Sequence, residues 1–166
     1  MGLLNKVFHL KSSQYSDSST TSGVGKEHFD DWTAMTEEQR GYFSALTMSK
    51  NISGAALSFR CRSKDRLEMF TLSISGKSKK HTFEKGRRYK VRLRFGNSII
   101  IYASLHAYEE KHAVIADVTD EFLENLFDSK SIEIEFYDEE TKKVSIHFSL
   151  KGAASAIETS IEHCNI

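Results

Sequence analysis

Apolar and polar side chains alternate in several short segments of this 166-residue chain, and such alternation is typical of half-buried β-strands. Leu57, Phe59 and Cys61 alternate with polar neighbours, and residues 91–95 repeat the pattern with arginines in the polar positions. The chain contains no proline, so its turns must use Gly, Asn, Asp and Ser. These patterns predict a mainly antiparallel β domain.

Two helices are predicted beside the strands. Thr119 can cap a helix over residues 119–127, because acidic residues follow it and an apolar stripe comes after them. A second helix is predicted from about residue 153 to residue 163, after a hairpin that turns at residues 138–140. We therefore predict an antiparallel β-sandwich or flattened barrel of about seven or eight strands, with one inter-strand helix and a C-terminal helix packed on it.

The first residues differ in composition from the rest of the chain. Residues 11–23 are rich in Ser and Thr and contain almost nothing to bury, which is typical of a flexible linker. We predict that residues 1–28 form a flexible segment and linker, and that residues 29–166 form a single β-sandwich domain. No segment contains the roughly 20 apolar residues of a membrane span. The cytoplasm is expected if Met1 is the native start, and the periplasm if an export signal was removed.

The two cysteines are both predicted to face the core. Cys61 shares a strand face with Leu57 and Phe59, and Cys164 follows Ile157 and Ile161 at helical spacing. A disulfide between them is geometrically allowed. In the chain-entropy model, closing a loop of about 100 residues adds roughly 4–5 kcal/mol. The alternative is a pair of buried thiols in a reducing cytosol.

Charge is segregated along the sequence although the net charge is zero. Residues 60–94 contain thirteen basic and three acidic residues, whereas residues 109–140 contain twelve acidic and two basic residues. The first stretch suggests a basic strand face that could bind a phosphate backbone. The residues of that candidate face are Lys79, Lys80, Arg87, Arg88, Arg92 and Arg94. The alternative is that Arg92 and Arg94 pair across strands with Glu133 and Glu135.

The sequence contains no recognised catalytic motif. It lacks a Gly-x-Ser-x-Gly elbow and a phosphate-binding Gly-rich loop. His106 and His112 flank two carboxylates, but their spacing matches no standard metal site and they are predicted to lie in a solvated loop between strands. We expect no catalytic residue, no metal and no cofactor, so an enzyme is the least supported class.

Three stretches carry a resemblance to known families. They are Trp-Thr-Ala-Met-Thr-Glu-Glu at 32–38 followed by Tyr-Phe-Ser-Ala-Leu at 42–46, Ala-Leu-Ser-Phe-Arg-Cys at 56–61, and Phe-Ser-Leu-Lys-Gly-Ala-Ala-Ser-Ala-Ile at 148–157, with Cys164 near the end. The pattern resembles the VasI-like family of type VI secretion accessory proteins and, more distantly, the invasion-associated locus B family. Related domains occur in phage and prophage proteins.

The resemblance covers about residues 30–166 and implies a β-sandwich with a packed terminal helix and no known catalysis. In that family the tryptophan precedes a Met-Thr-Asp/Glu turn. We therefore predict a non-enzymatic binding or accessory module that acts through protein–protein contacts in a bacterial or phage setting. The alternative function is a nucleic-acid-binding module that uses the basic strand face. A protein partner is expected, nucleic acid is the second option, and no membrane span is expected.

Overall fold

The computed structural model describes residues 25–37, 42–62, 67–74, 83–138 and 140–164. The predicted linker at residues 11–23 and two members of the predicted basic face, Lys79 and Lys80, lie outside the described residues. The described helices include none that is long and apolar enough to cross a membrane.

Within the described residues, ten strands form one antiparallel sheet, and two helices pack on it. The strands are β1 Gly25–Phe29, β2 Trp32–Glu37, β3 Tyr42–Met48, β4 Ala55–Arg62, β5 Leu67–Ile74, β6 Arg88–Phe95, β7 Ile99–Glu109, β8 His112–Ala116, β9 Ser131–Tyr137 and β10 Lys143–Ser149. The helices are α1 Asp120–Asp128 and α2 Ala153–Cys164. The strand order is β1-β2-β3-β4-β5-β8-β7-β6-β9-β10. The predicted fold class, mainly antiparallel β with a C-terminal helix, is confirmed.

The described sheet has more strands than predicted, and the extra strands lie at its start. β1 begins at Gly25, inside the segment predicted to be flexible, and pairs with β2 along its whole length. Its polar sequence is that of an edge strand, and such a strand lacks the apolar alternation that marks a buried one. The turn expected at Met35, Thr36 and Glu37 is instead part of β2, because β2 pairs with β1 on one side and β3 on the other.

One continuous core joins the two halves of the sheet. Inward side chains of β4 and β5 meet those of β6, β9 and β10 in a single buried cluster. The ring of Phe122 in α1 lies 5.2 Å from Phe70 in β5 and 5.8 Å from Phe95 in β6, measured between centroids. The helix begins where predicted, since the Thr119 hydroxyl accepts a hydrogen bond from the Phe122 amide at 3.1 Å. Its apolar side therefore closes the space between β5 and β6.

The C-terminal helix α2 packs on β2, β3 and β4. Its buried side includes Ile157, Ile161 and Cys164, and Cys61 of β4 is equally buried. The two cysteines lie at disulfide-bonding distance, with their Cα atoms 6.3 Å apart. That separation is ordinary for a bridge. The inward orientation predicted for both thiols from strand and helix periodicity is therefore confirmed.

The loop after β3 covers the free edge of β10. The Lys50 amide donates a hydrogen bond to the His147 carbonyl oxygen at 2.8 Å. The Asn51 side chain donates to the Ser145 carbonyl oxygen at 2.8 Å and accepts from the His147 amide at 2.9 Å. Backbone groups that a neighbouring strand would satisfy are satisfied here by a loop, which protects this edge from pairing with another chain.

A polar network joins the β1–β2 turn to the start of α2. Ser149 donates a hydrogen bond to the Asp31 carboxylate at 2.5 Å, and the Trp32 indole donates to the Ser149 carbonyl oxygen at 2.8 Å. The Asp31 amide donates to the Lys151 carbonyl oxygen at 3.2 Å. Because these residues are far apart in sequence, the network fixes the N-terminal hairpin against the end of β10.

Replacing Ser149 with alanine is expected to change how stability depends on acid. The Ser149 hydrogen bond, helped by the charges of Lys50 and Lys151, lowers the pKa of Asp31 below its usual 3.8. A lowered pKa stabilises the fold above that usual value, and the contribution is lost as pH falls through the folded-state pKa. Ser149→Ala should therefore lower the melting temperature most at neutral pH and least in strong acid. A difference that is constant across a melting series from neutral to acidic pH would contradict this account.

Candidate binding face

The alternation of β6 places its charged residues on one side of the sheet. Tyr89, Val91, Leu93 and Phe95 are buried in the core. The residues between them therefore point outward, because successive side chains of a strand face opposite sides. These outward residues are Arg88, Lys90, Arg92 and Arg94.

The strand registers extend this outward row across four strands. Arg94 is opposite Ile100 of β7 and Glu133 of β9, and Glu133 is opposite His147 of β10. In the next row, Arg92 lies between Tyr102 and Glu135. We call this surface the charged face. It consists of Arg88, Lys90, Arg92, Arg94, Ile100, Tyr102, Glu133, Glu135, Tyr137, Lys143 and His147.

The two glutamates of the charged face each contact two basic side chains. Glu133 lies 2.7 Å from an Arg94 nitrogen and 3.2 Å from His147 Nε2. Glu135 lies 3.1 Å from Lys143 Nζ and 3.8 Å from an Arg92 nitrogen. The carboxylates are only 12–13% exposed, so they sit beneath the longer basic side chains. The cross-strand pairing of Arg92 and Arg94 that the sequence offered as an alternative is confirmed.

The other basic residues predicted for this surface have different positions. Arg87 precedes β6, and its guanidinium lies 3.4 Å from the Glu84 carboxylate and 5.3 Å from the Tyr89 ring centroid. Arg88 and Lys90 are exposed on β6, and neither forms an ion pair with another described residue. The charged face contains five Lys and Arg residues and two Glu residues, so these seven side chains carry three net positive charges.

Exposed apolar side chains lie beside the arginines. Tyr102 is 76% exposed, Tyr137 is 58% exposed and Ile100 is 40% exposed. The binding face predicted from the sequence did not include these side chains. Ile100 and Tyr102 share a strand face by alternation, but which face of β7 turns outward depends on its register with β6. Lys90, Lys143 and His147 were likewise missing from the predicted site.

The histidine segment differs from the predicted loop. β7 continues to Glu109, so His106 and Tyr108 are strand residues, and His112 begins β8. An irregular register between Ala107 and Glu109 lets this long strand continue without a loop. Only residues 110 and 111 form the turn. The prediction of a loop from His106 to His112 is therefore wrong.

His112 forms a hydrogen bond that resembles part of a catalytic group. Its Nδ1 lies 2.8 Å from Ser73 Oγ, and its Nε2 lies 3.9 Å from a Glu109 carboxylate oxygen. Ser73 is 8% exposed and lies directly opposite His112, on the neighbouring strand β5. A carboxylate at 3.9 Å is beyond hydrogen-bond distance. The geometry is that of a cross-strand hydrogen bond between neighbouring side chains.

Metal ligands are not grouped in the described parts of the chain. Among residues 25–37, 42–62, 67–74, 83–138 and 140–164, no three His, Cys, Asp or Glu side chains lie close enough together to hold a metal ion. The expectation that the protein has no catalytic residue, metal or cofactor stays a prediction.

Comparison with known proteins gives a structural likeness. No family model and no curated protein sequence matches this chain. The crystal structure of invasion associated protein B from Bartonella henselae matches 85% of this chain and 99% of its own, with a TM-score of 0.60 and 12% sequence identity. The likeness is one of fold. It supports the resemblance to the invasion-associated locus B family, the more distant of the two, at the level of the fold only.

Proposed function

We propose that this chain is a non-enzymatic binding module that recognises a protein partner through the charged face. The observation that carries the proposal is the exposure of Tyr102, a large aromatic side chain that stands in solvent beside Arg92. Tyrosine and arginine, together with tryptophan, are enriched at the energetic centres of protein interfaces. An aromatic residue placed there contributes contact area with few rotatable bonds to fix.

The ion pairs of the charged face support the same function. Arg92 and Arg94 are held on the sheet by Glu135 and Glu133, so their side chains are already partly ordered before a partner arrives. Ordering a long side chain at an interface costs about 0.5–1.5 kcal/mol, and this arrangement reduces that cost. The charged face extends about 20 Å along β6, from Arg88 to Arg94, and about 14 Å across the four strands from β7 to β10. An area of this size suits the centre of a specific interface.

The charge of the face favours a partner with acidic groups. Three uncompensated positive charges would repel a second copy presenting the same face, so a symmetric dimer through this surface is disfavoured. A protein with carboxylates near Arg88 and Lys90 and an apolar group near Tyr102 would be complementary. We therefore propose an acidic protein surface with an exposed apolar side chain as the partner.

The Cys61–Cys164 geometry supports an oxidising setting. Stable disulfides are typical of the periplasm and of secreted proteins, and they are rare in the cytosol. We propose that the chain works outside the bacterial cytosol, which favours the periplasmic alternative. A role in type VI secretion or in a phage or prophage rests on the short sequence motifs alone.

A Tyr102→Ala variant is expected to weaken partner binding by roughly 30-fold, because a central aromatic side chain commonly contributes about 2 kcal/mol. The partner would first be isolated by chemical crosslinking in the native host, and the affinity then measured by calorimetry with purified proteins. Met48→Ala is the matched control, since Met48 is a large side chain, 51% exposed on β3, and is not a member of the charged face. Equal affinities of the two variants would contradict the proposal.

The second candidate function is nucleic-acid binding. The row of cations on β6 and the exposed Tyr102 ring favour it, because single-stranded nucleic acid is bound by basic grooves with aromatic stacking platforms. If the protein has this function, its affinity for DNA or RNA should fall steeply as the salt concentration rises. The double substitution Arg87→Glu with Arg92→Glu should then abolish binding.

A further inference from the structure

We propose that Glu133 and Glu135 determine which class of macromolecule the charged face accepts, by excluding nucleic acid. This inference rests on the proposed binding function of that face and concerns its selectivity. The two carboxylates lie within the basic surface, each between a β6 arginine and a basic residue of β10. They are the only acidic members of the charged face as defined above.

The position of the glutamates matters more than their number. Without them, the face would present five Lys and Arg charges across β6 and β10. The four outward residues of β6 are spaced about 6.8 Å apart along the strand, so they form a continuous basic row. A basic row of this kind is what a phosphate backbone binds. With the glutamates present, half of that row is paired, because Arg92 and Arg94 each contact a carboxylate.

A nucleic acid and a protein respond differently to this arrangement. A nucleic acid carries a phosphate at every nucleotide, so a strand lying along β6 must bring phosphates close to both glutamates as well as to the arginines. A protein partner has no such constraint. Its carboxylates can be confined to the neighbourhood of Arg88 and Lys90. Apolar or neutral groups can then cover Arg92, Arg94 and Tyr102. The glutamates therefore disfavour a continuous polyanion while leaving the surface open to a protein.

The test is a gain of function. Glu133→Gln with Glu135→Gln retains the shape of both side chains and removes their charge. Binding of a fluorescein-labelled single-stranded DNA would be followed by anisotropy from low salt to about 150 mM. The wild-type protein is expected to show no binding at about 150 mM salt. At low salt, the double variant is expected to bind the DNA at least tenfold more tightly than the wild-type protein does. The logarithm of its affinity should fall with the logarithm of salt with a slope near −3.5, about 0.7 for each of five contacts.

The matched control is Glu121→Gln with Asp128→Asn. These residues lie on the exposed side of α1, so the control changes the net charge equally at a different place. Equal DNA affinity of the double variant and the control would overturn the proposal, as would wild-type binding at about 150 mM salt. The single variant Glu135→Gln, with an intermediate gain expected, provides the same test if the double variant does not fold. Failure here is separate from failure of the proposed function, which is measured by Tyr102→Ala against the protein partner.

Discussion

Replacing Gly152 with alanine is expected to destabilise the protein by about 3 kcal/mol or more and to lower its melting temperature by roughly 6–12 °C. Gly152 has a φ of +84°, and it lies directly before α2. A Cβ atom at this position would overlap the carbonyl group of Phe29 at the end of β1. Because that group is backbone, relief requires the first strand and the helix to separate. Thermal unfolding followed by circular dichroism measures the effect.

Gly86→Ala is the matched control for this prediction. Gly86 has a φ of +86°, and a Cβ atom there would meet nothing within 4 Å. Both substitutions carry the conformational cost of a left-handed residue, about 1–2 kcal/mol. Only Gly152→Ala adds the contact with Phe29. Equal losses of stability in the two variants would show that β1 and the start of α2 are not packed as described.

Reduction of the Cys61–Cys164 bridge is expected to lower the melting temperature by roughly 8–20 °C. The two cysteines are separated by 103 residues in sequence. In the chain-entropy model, a loop of that length contributes about 4–5 kcal/mol by restricting the unfolded chain. For a chain of this size, each kcal/mol corresponds to about 2–4 °C. Parallel thermal scans with and without reductant measure the difference.

The double variant Cys61→Ala with Cys164→Ala controls for effects of the reductant itself. Its melting temperature should be low and insensitive to reductant, whereas the wild-type value should depend on it. A wild-type melting temperature that does not change after complete reduction, verified by thiol titration, would contradict a stabilising bridge. Rapid reaction of Cys164 with a thiol reagent under native conditions would contradict the burial of α2.

The elements that the sequence predicted well have strong periodicity. The inward orientation of Cys61 and Cys164 was predicted correctly because side chains alternate between the two faces of a strand and recur on one side of a helix every three or four residues. Each pattern fixes the direction of a side chain without knowledge of the rest of the fold. The pairing of Arg94 with Glu133 followed from the same alternation in two strands. The short helix after Thr119 was found from its cap and its apolar stripe.

The elements that were missed depend on contacts distant in sequence. β1 has a polar sequence, and only its pairing with β2 makes it a strand. The end of β7 continues past His106 because an irregular register accommodates the extra residue, which no local pattern signals. The charged face was half predicted: its arginines were recognised, but Tyr102 was not, because its exposure is set by the strand order.

Site-specific photocrosslinking in the native host can capture a protein partner while it is bound to the charged face. A photoreactive phenylalanine analogue would replace Tyr102 on the charged face or, as a control, His28, which is exposed on β1. We expect one discrete protein adduct from position 102, lost when Lys90→Glu is added, and no corresponding adduct from position 28. The same adduct from both positions, or an adduct from position 28 alone, would contradict this expectation.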